Sequence, residues 1–374
     1  MSRFTGMNVE ERTFLKRIDW WFVIYILALN FIGLVNLFSA TQGGASHLNR
    51  LFALQIIWLI SGWCLFSIAT FFNYDWYRRF ALIIYVINLG LLALVPYVGK
   101  SYYGAKRWLD LGFSSFQPSE TMKLALILIL AKVLSTKSKS GGLGITDLIV
   151  PLLIVMIPFA LIVRQPDLGT GLLVAVVGFS MILFVGVRRY IVILALILGL
   201  FGSVLAWKYG LKEYQKNRIE TFMEPDKDPR GSGYNSIQSK IAVGSGRFLG
   251  KGFRKGTQAQ LEFLPERHTD FIFSVLSEEH GFVGALTTIG LFSMLFFLAI
   301  RIGSQAKDRF GSLMVVGCIS YLFGHMAINI GMVIGLLPIV GIPLPLLSYG
   351  GSSMFSTMLC LGIISSVSYR KFLF

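Results

Sequence analysis

Charged residues are scarce in this chain of 374 residues: Asp, Glu, Lys and Arg together make up only 14%. Soluble domains carry about a quarter charged residues, because a surface in water needs them. Hydrophobic residues reach 55% and cluster in long runs. Runs of about 20 apolar residues can cross the ~30 Å hydrocarbon core of a bilayer. The composition excludes a soluble multidomain enzyme and a disordered protein, and it predicts an integral membrane protein.

Cysteine and histidine are also rare. The three cysteines lie inside apolar runs, as expected of packing residues, and offer no disulfide framework. They are Cys64, Cys318 and Cys360. The four histidines show neither HxxxH nor HExxH spacing, so the sequence predicts no zinc site. The N-terminal arm is polar and the first apolar run is long enough to span, which argues against a cleavable signal peptide.

The hydrophobic pattern predicts an all-α integral membrane protein with ten transmembrane helices in a single domain, 1–374. The predicted helices cover 20–39, 51–72, 80–98, 116–134, 148–163, 168–187, 190–207, 271–300, 310–337 and 346–369. The fourth contains three charged residues, and the eighth opens with a polar stretch. A large loop, 208–270, joins helices seven and eight and is too long for a simple connector. Its Pro, Gly and charge content predicts irregular structure with short helices.

The basic residues predict the orientation. The short segments on the side of the termini carry 16 Lys and Arg, against five on the opposite side. Because basic residues stay in the cytoplasm, both the arm 1–19 and the tail 370–374 are predicted to be cytoplasmic. The large loop is then external, and much of the net charge of +15 is an orientation signal.

A first group of polar residues lies at the start of the fourth helix. Gln117, Glu120 and Lys123 are spaced to share one helix face. Lys123 lies about seven residues, or ~10 Å, into the span. Two interpretations stay open: a snorkelling lysine paired with Glu120, or a charge that faces a wet cavity and marks a site.

A second group lies where the eighth helix begins. Asp270 follows Thr269, and either could act as a helix N-cap. Ser274, Ser277 and Glu278 continue from Asp270 at helical spacing, and a cap does not explain such a polar stripe. The alternative is that Asp270 pairs with Lys123, stays ionised and serves as a general base.

A third segment, 329–353, contains Pro338, Pro343 and Pro345, which prevent a regular helix from running through. Composition alone favours an ordinary re-entrant loop. Elsewhere, Asp167 lies in a short turn that suits a helix cap. The loop cations Arg247, Lys251, Arg254 and Lys255 could hold a phosphate or lie near anionic lipid.

These segments resemble the SEDS family, the shape, elongation, division and sporulation proteins. The resemblance covers essentially the whole chain. It is carried by QPSE (117–120) with Lys123, QPDLGT (165–170), LPERHTDFIF (264–273), NIGMVIG (329–335) and SYGGSS (348–353). The loop segment QSKIAVGSG (238–246) is typical of the elongation branch of the family rather than the division branch.

The resemblance implies a peptidoglycan glycosyltransferase in the bacterial cytoplasmic (inner) membrane. It would polymerise lipid II for cell elongation, together with a class B penicillin-binding transpeptidase and the elongation machinery, and would bind no nucleic acid. The resemblance implies no certain cofactor, and a requirement for a divalent cation such as Mg²⁺ stays open. Asp270 is expected to be the catalytic base. The residues expected to bind or position the substrate are Lys123, Glu120, Arg107, Glu266, His268, Asp167 and Ser348.

Two other functions remain open at this stage. Intramembrane charges and broken helices also suit a lipid II flippase or another transporter. A scaffold for the transpeptidase, without activity of its own, is the third alternative. The polar residues cluster towards one predicted face of the membrane, which favours surface chemistry over a transport path.

Overall fold

Helices dominate the structure, a computed structural model in which 79% of the chain is helical. The structure describes residues 17–42, 46–102, 105–110, 115–137, 141–210, 213–225, 231–261 and 263–370. Most of the N-terminal arm, Glu262 and the last four residues, for which predictions were made above, lie outside these described ranges.

A long helix occupies each of the ten segments predicted to span the membrane. These are α1 (Trp20–Gln42), α2 (Ser46–Phe71), α3 (Tyr74–Val98), α4 (Pro118–Ser135), α5 (Ile145–Arg164), α6 (Leu168–Val185), α7 (Arg189–Leu205), α11 (Ile272–Ser304), α12 (Arg309–Val333) and α13 (Gly351–Arg370). Three short helices lie in the large loop: α8 (Glu213–Met223), α9 (Ser232–Ser245) and α10 (Thr257–Gln260). The predicted character of this loop is confirmed.

Eight of the long helices are long and apolar enough to cross a membrane. The other two are α4, which carries Glu120, Lys123 and Lys132, and α7, which has only 17 residues. The chain is therefore a multi-pass membrane protein, and the count of ten spans stays a prediction. The eighth predicted span, α11, meets the criterion despite its polar start.

The prediction of an all-α chain is wrong in one place. Between α3 and α4 lies an antiparallel sheet of three strands, β1 (Lys100–Tyr102), β2 (Ala105–Asp110) and β3 (Ser115–Phe116). The strands are too short to give a clear period-2 pattern in the sequence. The sheet fixes the path of the chain into α4, whose first residue is Pro118, at a position where the missing N–H costs nothing.

Three helices form the centre of the bundle. Most residues of α4, α12 and α13 are buried, whereas α7 buries none of its side chains. A helix that is apolar on all sides and still exposed suits a lipid environment. Glu120 and Lys123 of α4 thus lie in the middle of the protein rather than against lipid.

The long helix α11 is broken at Gly281, where φ is 64° and ψ is −160°. The sequence changes at the same place, from a polar stretch to a charge-free one. A loop segment covers the break: Phe282 and Val283 donate backbone hydrogen bonds to the carbonyls of Arg247 and Phe248, at 2.9 and 3.1 Å. The loop therefore supplies bonds that the interrupted helix lacks.

The proline-rich segment 334–350 between α12 and α13 is not helical, so the prediction that no regular helix runs through the prolines is confirmed. The predicted helix bounds are wrong here, because α12 ends at Val333 rather than at 337 and α13 begins at Gly351 rather than at 346. Gln55 of α2 holds its C-terminal end, donating from Nε2 to the carbonyl of Ser348 at 3.3 Å and accepting from the amide of Gly350 at 3.2 Å. The segment is thus a fixed part of the bundle.

We expect Gly281→Ala to destabilise the protein strongly. Its backbone conformation is almost restricted to glycine, at a cost of about 1–3 kcal/mol for other residues. A Cβ atom there would also lie 2.3 Å from the amide nitrogen of Gly250. The matched control is Gly290→Ala in the same helix, where a Cβ meets nothing within 4 Å. Thermal unfolding in detergent should show a clear loss for the first variant and little change for the second; equal effects would contradict the close packing at the break.

Candidate functional site

A cavity of about 320 Å³ lies among β2, α4, α6, α12 and the segments before α11 and α13. Its walls contain charged, polar and apolar groups. The lining residues are Arg107, Trp108, Gln117, Glu120, Asp167, Thr170, Leu173, Thr269, Asp270, His325, Gly341, Ile342, Pro343, Tyr349, Gly350, Ser352 and Ser353. Four of the eight predicted site residues, Arg107, Glu120, Asp167 and Asp270, therefore share one cavity.

Asp270 lies in a turn just before α11, which begins at Ile272 and has no side-chain cap. The alternative that Asp270 or Thr269 caps the helix is therefore wrong, and the partly buried Asp270 carboxylate faces the cavity. Asn329 fixes its backbone: Nδ2 donates to the carbonyls of Asp270 at 2.8 Å and Ile342 at 2.7 Å.

Burial and the nearby negative charge of Glu266 raise the pKa of Asp270 from 3.8 to about 7. A Cβ atom at Gly341 would lie 3.4 Å from Asp270 Oδ2, so the glycine leaves the carboxylate accessible. A carboxyl group with such a pKa can exchange a proton near neutral pH, which is the property a general base needs.

Glu120, which lines the cavity, forms an ion pair with Lys123 behind it, with 2.7 Å between Oε1 and Nζ. The predicted pairing of Lys123 with Glu120 is confirmed. Lys123 has no exposed surface, so its side chain does not snorkel to the membrane surface. The second carboxylate oxygen of Glu120 accepts from Ser356 at 2.8 Å and Tyr321 at 3.3 Å. Every charged atom of the pair thus has a partner, as burial requires.

His325 completes this network and touches the cavity. Its Nε2 lies 2.9 Å from Lys123 Nζ, and its Nδ1 lies 3.2 Å from the carbonyl oxygen of Pro343. An ammonium group can only donate and a carbonyl can only accept. The network therefore assigns the neutral tautomer with the proton on Nδ1, which ties α12 to the proline-rich segment.

Arg107 of β2 binds the turn 165–167, which leads into α6. Its Nε donates to the carbonyl of Gln165 at 3.4 Å, Nη2 donates to that of Pro166, and Nη1 lies 3.8 Å from Asp167 Oδ1. Asp167 also caps α6, accepting from the amide of Thr170 at 3.3 Å. The predicted turn and cap are confirmed, and the acid is engaged by a cation on the neighbouring sheet.

The predicted ion pair between Lys123 and Asp270 is wrong. Among the described residues, Lys123 forms its ion pair with Glu120, and none joins it to Asp270. Helical spacing placed Glu120 and Lys123 on one face, but it could not show that this pair excludes Asp270. Arg267, three residues before Asp270, donates from Nε to the carbonyl of Ala40 at 2.9 Å.

The predicted polar stripe below Asp270 does not form one face of the cavity. Ser274, Ser277 and Glu278 are buried elsewhere. Glu278 accepts from Lys251 Nζ at 2.6 Å and from Thr257 and Gln258 of the loop. Glu278 anchors the loop to α11. Because the Lys251 side chain pairs with Glu278, Lys251 is no longer a candidate ligand for a phosphate.

Four predicted site residues lie outside the lining of the cavity. Lys123 is behind its wall, and Ser348 is structural: its hydroxyl donates to the carbonyl of Thr269 at 2.7 Å. Glu266 is exposed and accepts from Thr269 Oγ1 at 3.0 Å, so it acts on Asp270 through charge. The carbonyl oxygen of His268 accepts a hydrogen bond from the backbone amide of Tyr349, at 2.9 Å.

Sequence reasoning missed His325, Tyr321 and Ser356. They lie about 200 residues or more from Glu120 in the chain, and only His325 was noted, in the search for zinc spacing. His325 and Tyr321 are four residues apart on α12, a spacing that could have suggested a shared polar face. Within the described part of the chain, no group of three His, Cys, Asp or Glu residues could hold a metal ion.

We expect Lys123→Met to cost about 3–5 kcal/mol of stability, because it leaves the Glu120 carboxylate buried without a cation. The double variant Lys123→Met/Glu120→Gln removes both charges and should recover most of the loss. Glu120→Gln alone completes the cycle, and thermal unfolding in detergent measures all four proteins. Strictly additive losses would contradict a coupled pair.

Comparison with known proteins agrees with this architecture. Residues 19–372 match the family described as cell cycle protein, FtsW/RodA/SpoVE. The peptidoglycan glycosyltransferase MrdB of Escherichia coli (strain K12) is 42% identical over 298 residues, covering 79% of this chain and 80% of that protein. Stage V sporulation protein E of Bacillus subtilis (strain 168) is 40% identical over 359 residues, covering 94% and 96%.

Solved structures show the same likeness. A chain from a peptidoglycan synthase complex has a TM-score of 0.81 and 32% identity, covering 95% of this chain and 98% of that one. The rod shape determining protein RodA of Thermus thermophilus has a TM-score of 0.71 and 29% identity, with the same coverage. The match over nearly the whole chain, together with these relatives, shows that this membrane protein belongs to the FtsW/RodA/SpoVE family.

Proposed function

We propose that this protein is a peptidoglycan glycosyltransferase of the elongation type, which polymerises lipid II into glycan strands. The observation that carries the proposal is the cavity that Asp270 and Arg107 both line, in a chain whose relatives are named peptidoglycan glycosyltransferases. An inert scaffold does not need a carboxylate whose pKa is raised to about 7.

The reaction joins two saccharides and releases a lipid pyrophosphate. The donor sugar is α-linked to undecaprenyl pyrophosphate and the product is β-1,4-linked, so one direct displacement with inversion suffices. The acceptor 4-hydroxyl oxygen forms a bond to the anomeric carbon as the bond to the pyrophosphate oxygen breaks. Asp270 takes the hydroxyl proton, and the pyrophosphate leaves with the bonding electron pair.

Arg107 is the candidate ligand for the pyrophosphate. A guanidinium group has five N–H donors, and three of its hydrogens suffice for the contacts with Gln165, Pro166 and Asp167. Two hydrogens can then serve an anion in the cavity. These contacts hold the guanidinium plane in place before substrate binds, which is how an anion site stabilises a developing charge at low cost.

Glu120 and Lys123 support the site indirectly. Their ion pair and His325 join α4, α12 and the proline-rich segment behind the cavity. We infer that they position the walls rather than tune Asp270. Among the other predicted residues, Asp167 orients Arg107, and Ser348 and His268 hold the segments before α11 and α13 together.

The topology and partner proposals rest on charge and family likeness. We infer ten spans in a single domain, both termini in the cytoplasm, and the cavity and large loop on the outer face of the cytoplasmic membrane. The bias of 16 to five in short segments supports this orientation. One similar structure comes from a peptidoglycan synthase complex, which supports a class B penicillin-binding transpeptidase as partner.

The main test is Asp270→Asn, which keeps the size of the side chain but removes proton acceptance. General base catalysis contributes about 10²–10⁴-fold, so polymerisation of labelled lipid II by the purified protein should fall by that factor. Folding should survive, because the carboxylate forms no ion pair with the described residues and makes no helix cap.

Lipid II binding and co-purification with the transpeptidase should remain in the same Asp270→Asn preparation. They serve as controls for folding. A well-folded variant with normal synthesis would remove Asp270 from the mechanism. Transport of lipid II by the unmodified protein without any polymerisation, with loss of that transport in Asp270→Asn, would instead favour the flippase alternative.

The pH dependence gives a second prediction. Only the ionised carboxylate accepts a proton, so activity should rise with pH, reach half of its maximum near pH 7 and level off above that. The negative charge of Glu266 raises the pKa of Asp270, so Glu266→Gln should lower it and move the acidic limb to lower pH. Initial rates from pH 5 to 9 would measure the shift. An unmoved limb, or a shift to higher pH, would contradict the assignment.

A further inference from the structure

A tight turn in the large loop, 247–255, exposes three apolar side chains. Phe248 is 65% exposed, Leu249 75% and Phe253 44%. Neither the cavity nor the proposed reaction uses this turn. Adjacent apolar side chains that stay exposed in a well-packed region indicate an interaction surface.

Hydrogen bonds to α11 keep the three apolar side chains of the turn exposed. The amides of Lys251 and Gly252 donate to the carbonyls of Glu278 and Glu279 at 3.0 Å each, in addition to the bonds from Phe282 and Val283 to the turn. The Lys251 side chain is tied to the buried Glu278 at 2.6 Å. A turn fixed by backbone bonds and a buried ion pair cannot fold its apolar residues inward.

The position of the turn along α11 points to the membrane surface. The first residues of α11, up to Glu279, are buried inside the protein, and exposed apolar residues begin at Phe282. From Phe282 to Ser304 a helix rises ~33 Å, which closely matches the ~30 Å hydrocarbon core. Phe282 therefore lies at the boundary of the bilayer, and the turn packs beside it.

The apolar surface of the turn is continuous with the lipid-facing side of α11. The rings of Phe248 and Phe282 stack with 6.0 Å between their centroids. Phe282 is 56% exposed, and Leu286, one turn further along the helix, is also 56% exposed. A surface that is covered by lipid on α11 thus extends onto Phe248 without interruption.

Cations flank the apolar residues. Arg247, Arg254 and Lys255 are exposed on the same turn. Segments that lie in a membrane interface combine aromatic and aliphatic residues, which enter the acyl boundary, with Lys and Arg, which attract anionic headgroups. The net charge of the exposed side chains in this turn is positive, which favours anionic lipid over neutral lipid.

We propose that the turn 247–255 is a membrane-interface anchor: Phe248, Leu249 and Phe253 enter the headgroup boundary, and the flanking cations bind lipid phosphates. The anchor fixes the large loop to the bilayer at the broken end of α11. It requires only that α11 spans the membrane, so it does not depend on the proposed reaction or on Asp270.

The test uses the full chain with one fluorophore on cysteine. Phe248→Cys is made in a Cys64→Ser background, since Cys64 is the exposed one of the three cysteines. The labelled protein is reconstituted into vesicles of phosphatidylcholine with one quarter phosphatidylglycerol. Quenching by lipids with a nitroxide near the headgroup is compared with quenching by aqueous iodide. Glu220→Cys on α8 is the control for water, and Phe297→Cys in the span of α11 is the control for deep lipid.

At position 248 we expect lipid quenching roughly twofold or more above that at position 220, with protection from iodide, as for an interfacial side chain. Omission of phosphatidylglycerol should weaken the lipid quenching, and replacing the three cations with Gln should abolish that dependence. Iodide quenching equal to that at position 220 would overturn the proposal. Protection that appears only when the transpeptidase is added would also overturn it and assign the surface to a protein partner.

Discussion

The ion pair between Lys123 and Glu120 is the interaction on which the arrangement of the central helices depends. A charge inside a membrane protein is expensive, so each must be paired and hydrogen-bonded within the bundle. Meeting that requirement takes Tyr321 and His325 from α12 and Ser356 from α13. These contacts hold α4, α12 and α13 together at the centre, and the cavity opens beside them.

Backbone breaks impose the second constraint. A peptide group without a partner is costly in lipid, so irregular backbone must be covered by protein. The loop covers the break at Gly281, while Gln55 and Asn329 bind the proline-rich segment. Asn329 also binds the carbonyl of Asp270. Two irregular segments are thus fastened to each other at the point where the Asp270 carboxylate lies.

The two carboxylates of the site, Glu120 and Asp270, lie in different surroundings. Glu120 has a cation at 2.7 Å and two hydroxyl donors, whereas Asp270 has the negative charge of Glu266 nearby and no ion pair with the described residues. Carboxylates in such different environments suit different tasks. A fixed ion pair stabilises the frame, and a carboxyl group with a pKa of about 7 can transfer a proton. Burial and like charge raise the pKa of Asp270, whereas the cation that the helical spacing suggested would have lowered it.

The sequence by itself determined the class of protein and the ten helical segments, and it offered the pairing of Lys123 with Glu120 and the cap at Asp167 among its alternatives. Those features depend on composition, on hydrophobic runs and on residues three apart, all of which are local. The tertiary structure alone decided that Asp270 has no contact with Lys123, that Glu278 anchors the loop and that His325 joins the network. These contacts span up to about 200 residues of chain. Helical spacing tells which side chains share a face, but only the packing of helices decides which face meets which partner.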